Sequence, residues 1–457
     1  MESNKMNRRE AIRAMMLAGA GLAAGSSLVA APLRAAGVLP QNWKFTEPAT
    51  GDQVIHRTWK SLDNASISLL GMGCMRFPQK GTGRRAPLDQ EAVNQMIDYA
   101  LAHGINYFDT APAYGDSERA TGEALSRHKR GDYLIATKMS NFWNADLKAC
   151  KDMFANSLKN LRTDYVDYFL LHSIGSVEDF QKRFVNNGLL PYLQELRKNG
   201  TIRHLGFSFH GSNAAMKALL EMPYEWEFVQ IQMNYVDWKN MPLEDSNEPC
   251  DSETLYKMLA DRGIPVVIME PIRGGALANV STGLKDKLAE RFPHLSPAGV
   301  ALTFASSYPG VMCTLSGMSN MQQLMENVYT FSHFKPFGAE DNEYLMEMAR
   351  LYNGNPHIPC TACRYCMPCP RNVDIPGVFA VYNGMSDNLM LPDPSNKRAK
   401  GYKEKKKEFL KRYATLASGT DASVCVMCNA CLPKCPQRIR IPEQMRMIHK
   451  LVKDLGR

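Results

Sequence analysis

Asn106-Tyr107-Phe108-Asp109-Thr110-Ala111 sets two aromatic residues just before an acid, and Tyr114 follows five residues after Asp109. Upstream, Gln90–His103 places apolar side chains at helical spacing, with Asp89 as a start cue and Gly104 where the helix stops. A helix, a glycine stop, a short strand and a polar strand end make one unit, and the unit repeats in both directions. Strands are predicted at Ser66–Leu70, Asn106–Phe108, Tyr133–Thr137, Tyr165–Leu171, His204–Phe207, Phe228–Gln232, Pro265–Met269 and Val311–Leu315. Further helices are predicted at Leu147–Leu161, Val177–Lys198 and Glu253–Asp261, with Ser212 as another start cue and Gly200 and Gly263 as further stops. Strands that alternate with helices pair in parallel through right-handed crossovers. Eight units within residues 53–335 fit an α/β fold closed as a (β/α)8 TIM barrel. An open doubly wound sheet is the alternative. It lacks a GxGxxG after the first strand, where Gly71-Met72-Gly73 reads equally as a tight turn.

Composition agrees with a folded, soluble chain. The 457 residues are 45% apolar and 22% charged, which excludes collagen, wholesale disorder and a polytopic membrane protein. The net charge of +8 is unevenly spread: residues 360–457 carry +10, residues 1–36 carry +3, and the body between carries −5. Eight of the 12 cysteines fall in the last 98 residues.

Barrel chemistry gathers at the carboxyl ends of the strands. Asp109 ends the second strand, Lys138 the third, His172 the fourth and Ser208 the fifth, while Gln230 and Gln232 lie on the sixth. Each has an ordinary structural account when taken singly: a helix cap, a solvated cation, a satisfied core histidine. Together, Asp109, Tyr114, Lys138 and His172 converge on one mouth as a proton-transfer set.

In order, spacing and strand position this set resembles the catalytic tetrad of the aldo-keto reductases, and the resemblance covers residues 53–335. It implies a small carbonyl or alcohol substrate and a nicotinamide cofactor that exchanges hydride with it. Tyr114 would be the general acid, Lys138 the neighbouring cation, Asp109 its holder and His172 the group that orients the carbonyl oxygen. An unperturbed tyrosine, with a pKa of about 10, is a poor acid near neutrality, and an adjacent ammonium lowers it. The resemblance also assigns Ser208 and Gln230 to the nicotinamide carboxamide, and the loop Glu270-Pro271-Ile272-Arg273-Gly274-Gly275 to the pyrophosphate. Ser316, Gly317, Gln323 and Asn327 fall to the adenosine end. Phe209 and Met269 replace the family's usual asparagine and aromatic residue. The adenosine segment lacks the cations that meet a 2′-phosphate, so NAD(H) and NADP(H) both stay open. Loops Phe77–Pro87, Phe142–Cys150 and Val236–Pro249 are expected to shape the substrate pocket.

The tail carries a second chemistry. Cys425, Cys428, Cys431 and Cys435 form C-x2-C-x2-C-x3-C-P, the bacterial ferredoxin run for an iron–sulfur cluster. Cys360, Cys363, Cys366 and Cys369 repeat it one residue shorter, again before a proline. Zinc ribbons use separated CxxC pairs instead. Both runs continue alike, Pro370-Arg-Asn-Val-Asp-Ile-Pro376 and Pro436-Gln-Arg-Ile-Arg-Ile-Pro442, as a duplicated half-module would. Resemblance to two-cluster ferredoxins implies that Cys360, Cys363, Cys366 and Cys435 hold one 4Fe–4S cluster and Cys369, Cys425, Cys428 and Cys431 the other, with a single cluster as the fallback. Residues 340–457 are thus expected to form a small, mainly helical, ferredoxin-like module. Cys74, Cys150, Cys250 and Cys313 read as buried bystanders. The cation-rich stretch Lys397–Arg412 reads as a solvated helix, or as a surface for an acidic redox partner protein. No nucleic-acid module accompanies it.

At the amino end, Arg8-Arg9 precede the uncharged stretch Ala14–Ala31. This resembles a twin-arginine (Tat) export signal over residues 1–36, which would place the mature chain in the periplasm or otherwise outside the cytoplasm, with no integral membrane span. A cytoplasmic protein with the segment uncleaved is the alternative. The leading functional reading is an exported aldo-keto reductase with a fused iron–sulfur module. An electron-transfer protein whose barrel is a docking or ligand-sensing body is the second, and clusters that merely staple the tail are the third.

Overall fold

A computed structural model describes residues 47–81, 86–241, 249–354, 356–388, 390–435, 437 and 439–456. The signal-like segment 1–36 lies outside these residues, as do Pro436 and parts of two of the pocket loops. Among the described residues no helix is long and apolar enough to cross a membrane.

The eight-stranded closed barrel expected from the alternation is present. A short antiparallel hairpin comes first, with β1 at His56–Trp59 and β2 at Ala65–Ser68. The barrel strands follow: β3 Leu70–Gly73, β4 Tyr107–Asp109, β5 Leu134–Met139, β6 Val166–Ile174, β7 Ile202–Phe209, β8 Val229–Gln232, β9 Val266–Met269 and β10 Val311–Ser316. They pair in parallel in that order, and β10 closes on β3. The hairpin seals one end. Asn106, just before β4, bonds Ser66 and Ser68, and Leu62 and Ile67 pack against the interior residues Tyr107, Tyr168 and Phe228. Only the carboxyl ends of the strands are left for chemistry.

The first strand corrects the sequence reading. The run Ser66–Leu70 is split between β2 and β3, and Gly71-Met72-Gly73 is barrel strand rather than turn. Gly71 is required there because a Cβ would lie 2.5 Å from Cys313 Sγ and 2.8 Å from Leu315 Cδ2 across the filled interior. The expected helix Val177–Lys198 is likewise interrupted. It runs as Val177–Phe180, a π-turn Gln181–Val185 and Leu189–Lys198, with Gly188 at φ 74° making the break. The other helices form as read: Asp89 accepts from Ala92 N, Ser212 accepts from Ala215 N, and Gly104, Gly200 and Gly263 take the left-handed conformation. All four bystander cysteines are buried.

The tail forms helices Ile375–Ser386, Tyr402–Tyr413 and Ile441–Asp454 around a core that includes Val378, Phe379, Phe409, Met445 and Ile448. The first and third begin alike, with proline in the first turn after an isoleucine, as the duplicated Ile-Pro predicts. The preceding helix, Ala339–Asn353, buries Leu345, Met348 and Ala349 in the barrel's own core, although the sequence groups it with the tail.

Candidate active site

Asp109, Lys138 and His172 come from three neighbouring strands, and the strand register brings them to one mouth. Asp109 ends β4 and Lys138 stands near the end of β5. Lys138 Nζ donates to both Asp109 carboxylate oxygens at 2.6 Å and to the Thr110 carbonyl at 2.9 Å. The ammonium is 1% exposed, so these three acceptors stand in for the water it has lost. Burial pulls Lys138 below its ordinary value, and contact with the Asp109 carboxylate opposes that shift. Tyr114 sits on the short turn Pro112–Tyr114 after β4, with its ring centroid 5.1 Å from Lys138 Nζ.

His172, on β6, is held from both sides. Its Nδ1 lies 2.7 Å from Ser140 Oγ, and Arg183 donates to its backbone carbonyl at 2.7 Å. Arg183 belongs to the π-turn, also pairs with Asp179 at 2.9 Å, and covers the Phe142 ring. The extra residue of a π-turn re-aims side chains, which is why such turns mark functional sites. Burial first, and then the charges of Lys138 and Arg183, push His172 well below its ordinary value, so the ring is neutral near pH 7.

Tyr114 departs from the sequence expectation. Its pKa is raised well above the ordinary value by burial, then by Tyr365 and Asp109, rather than lowered by Lys138. The main physical reason is burial: with water excluded from the hydroxyl, the neutral phenol is favoured over the phenolate, and the nearby Asp109 charge adds to this. Tyr114 therefore keeps its proton through neutral pH.

The tail enters this site. The Tyr365 hydroxyl lies 3.3 Å from His172 Nε2 and beside that of Tyr114, whose pKa it helps to raise, and its ring meets Phe142 at 6.2 Å between centroids. Thr361 sits beside it: Arg76 donates to its carbonyl and its backbone lies against Gly274. Gln437, from the second cysteine run, exchanges hydrogen bonds with Gln232 at the end of β8. No local signal in the sequence announces Tyr365, Thr361 or Gln437, because each meets its partner across a separation of about 90 to 285 residues. The Asp179–Arg183 pair, at i,i+4, was visible in the sequence but had no assigned target.

The residues expected to hold a cofactor divide into two groups. Ser208 and Gln230 are register partners on β7 and β8. Ser208 Oγ accepts from Ser173 N at 2.7 Å, whereas Gln230 Oε1 is buried with no partner among the described residues. Phe209 is buried against Phe207. The loop after β9 is already engaged: Asn234 donates to the Glu270 carbonyl at 3.2 Å, and Arg273 pairs with Asp237 at 3.3 Å and meets the Tyr352 ring. Pro271 is buried there. A Cβ on Gly274 would lie 2.6 Å from Thr361 Cα, so the backbone that approaches this glycine is the chain's own. Past β10, Asn327 donates to Ser316 Oγ, Ser319 N donates to Gln323 Oε1, and Gly317 lies under Arg76. Ser173, Glu270 and Arg273 at the mouth hold φ of 56°, 55° and 49°, placing backbone strain at the site.

The tail cysteines gather in two groups. Cys366 has Cys363, Cys360 and Cys435 as its nearest thiol neighbours and Cys431 beyond them, and Cys431 lies among Cys425, Cys369 and Cys428. The second group lines a cavity with Ile375, Pro442 and Met445. Equivalent positions of the two runs share left-handed backbone: Ala362 and Met427 at 53° and 54°, Arg364 and Asn429 at 66° and 60°. Among the described residues no three His, Cys, Asp or Glu close on a point as ligands of a single ion do.

Comparison with known proteins places the barrel. The profile of the Aldo/keto reductase family matches residues 69–350. The chain is 26% identical over 294 residues to an uncharacterized oxidoreductase, YqkF, of Bacillus subtilis, covering 57% of this chain and 86% of that one. It is 25% identical over 314 residues to L-galactose dehydrogenase of Arabidopsis thaliana, covering 64% and 93%. Among solved structures, the holo form of aldo-keto reductase AKR11C1 from Bacillus halodurans superposes with a TM-score of 0.51 at 23% identity, over 65% of this chain and 96% of that one. An aldo-keto reductase of Klebsiella pneumoniae in complex with NADPH superposes at 0.50 and 19% identity, over 65% and 95%. At such identities the superpositions speak for the fold. The cysteine runs lie beyond the matched residues.

Proposed function

The chain belongs to the aldo/keto reductase family, and from that premise we propose that it interconverts a small carbonyl compound and its alcohol with a nicotinamide dinucleotide, NAD or NADP. The observation that carries the proposal is the buried ammonium of Lys138, held by both oxygens of Asp109 beneath the Tyr114 ring and beside a neutral His172. Tyr114 holds the proton that goes to the carbonyl oxygen. Lys138 receives the developing phenolate charge, and Asp109 keeps Lys138 in place and protonated. His172 presents Nε2 to the same oxygen, because Ser140 occupies Nδ1 and Arg183 fixes the backbone. A positioned proton donor contributes on the order of 10²–10⁴ in rate. The bound nicotinamide supplies the hydride. Gln230 and Ser208 fit its carboxamide, since the unsatisfied Gln230 Oε1 would accept an amide N–H. The loop at Gly274 does not fit the pyrophosphate while Thr361 lies on it.

The tail is read as a module for two 4Fe–4S clusters, one on Cys360, Cys363, Cys366 and Cys435 and the other on Cys369, Cys425, Cys428 and Cys431. The crosswise grouping of the thiols and the matching left-handed loops support this. A cubane binds each cysteine to a different iron and asks for wider spacing than a single ion. The basic helix Tyr402–Tyr413 would face an acidic redox partner. The amino-terminal segment would direct export through the Tat route, tested by cell fractionation with amino-terminal sequencing.

Turnover of a carbonyl panel with NADH and NADPH tests the reductase reading. Wild type is expected to turn over at least one compound and Tyr114→Phe to lose that activity; a silent wild type or an unaffected variant would overturn it. The seating of Thr361 on Gly274 favours a second reading, an electron-transfer protein that takes up no free dinucleotide. Full-length protein that fails to bind NADH and NADPH in equilibrium dialysis, yet contains iron and sulfide, would support it.

A further inference from the structure

We infer that Tyr365, carried by the loop between Cys363 and Cys366, fills the substrate-oxygen position of the barrel in the substrate-free protein, so that every substrate must displace it and the cysteine-bearing loop selects what enters. The inference rests on reading Tyr114 and His172 as the groups that hold the substrate oxygen. Those two groups are what the Tyr365 hydroxyl meets: it lies 3.3 Å from His172 Nε2 and beside the Tyr114 hydroxyl. A carbonyl oxygen accepting from Tyr114 beside His172 would occupy the same point. One small site does not hold two oxygens on the same partners.

The loop is anchored four residues earlier. Arg76 holds the Thr361 carbonyl, and Gly274 lets the Thr361 backbone come close, so withdrawal of the whole loop would break both contacts. Between Cys363 and Cys366 only two residues can move without shifting a cysteine: Arg364 is exposed, with Asp374 3.9 Å away, and Tyr365 is half-buried. Movement of Arg364 and Tyr365 is therefore the smallest opening, and it leaves Thr361 seated. Phe142, against both Tyr365 and His172, is the wall that an entering substrate would meet in place of the tyrosine ring. Tyr365 is thus a specificity-determining residue contributed by the tail to a site built by the barrel.

Acetate is the probe, because its carboxylate oxygen accepts from the same groups as a carbonyl oxygen. Its affinity is measured by titration calorimetry on full-length, anaerobically purified wild type, Tyr365→Phe, Tyr365→Ala and Tyr365→Phe/Tyr114→Phe, with iron content confirming an intact tail. Removing one neutral hydrogen-bonding competitor is expected to tighten acetate binding about 3- to 10-fold in Tyr365→Phe, and at least as much in Tyr365→Ala, which also removes the ring. Adding Tyr114→Phe is expected to abolish the gain. Unchanged or weaker binding in both single variants overturns the inference and makes Tyr365 a donor or a structural residue. Absence of binding in every variant overturns it too, because the vacated position is the one that should accept the oxygen. A double variant that keeps the gain overturns instead the underlying assignment of Tyr114 to the substrate oxygen.

Discussion

Replacing Asp109 by asparagine tests the centre of the site most directly. It removes the negative charge and one of two acceptors at 2.6 Å, leaving the Lys138 ammonium, 1% exposed, with neutral acceptors alone, the amide oxygen and the Thr110 carbonyl at 2.9 Å. Breaking a buried pair from one side typically costs about 3–5 kcal/mol. The charge part has a ceiling, because Lys138 can shed its proton instead. With an unfolded-state pKa of about 10.4, deprotonation at pH 7 costs about 4–5 kcal/mol. Burial already lowers Lys138, and Asp109 is the main opposing influence, so the variant's folded pKa falls further. The unfolded chain then binds more protons than the folded one at neutral pH, and stability rises with pH. The deficit should shrink by up to about 1.4 kcal/mol per unit from pH 7 toward pH 10. Urea unfolding followed by tryptophan fluorescence reads this transition, since all five tryptophans precede residue 240. Asp109→Asn/Lys138→Met removes the stranded charge and should regain most of the loss. A deficit below about 1 kcal/mol, one that stays flat from pH 7 to 9, or a double variant as unstable as the two singles combined would refute the argument.

Four further outcomes follow from named contacts. Gly274→Ala places a Cβ against the Thr361 backbone at φ 64°, so barrel and tail should loosen by more than about 1 kcal/mol, read as faster proteolysis near residue 361. Burial pushes Glu227 up, but hydrogen bonds from His204, Arg197 and Leu205 N pull it down to about 2. Its contribution is therefore present above the unfolded value and lost as pH falls toward 2, so Glu227→Gln should cost about 1–2 kcal/mol at pH 7, after discounting its exposed edge, and little at pH 2 when urea midpoints are compared. Arg183→Lys keeps the charge but loses the fork between Asp179 and the His172 carbonyl, and kcat on whichever carbonyl is turned over should fall about tenfold with the melting temperature nearly unchanged. Cys363→Ala and Cys428→Ala should each lower bound iron from about eight to about four atoms per chain, measured by colorimetric iron analysis.

The barrel was readable from the sequence because its signals are local. Each strand–helix unit carries its own period, caps and glycine stop, and Asp89, Ser212, Gly104, Gly200 and Gly263 act as read. The convergence of Asp109, Lys138 and His172 was readable for the same reason: a polar residue at a strand end points to the mouth whatever surrounds it. The boundary of the first strand was not readable, since Ser66–Leu70 is one apolar run whose halves pair with different partners. The interruption of Val177–Lys198 was hidden because a π-turn preserves amphipathic spacing while shifting its phase by one residue.

From the sequence alone came the parallel barrel, the proton-transfer set and a tail with two like cysteine runs, all encoded in periods and spacings of a few residues. Tertiary structure alone decided that the tail covers the mouth, that Tyr365 reaches Tyr114 and His172, and that Thr361 takes the space over Gly274. It also reversed the expected shift of Tyr114, since that depends on what excludes water from its hydroxyl and on the charges packed beside it. Contacts between residues almost two hundred positions apart leave no mark on local periodicity; they exist only where packing brings two surfaces together and removes the water between them.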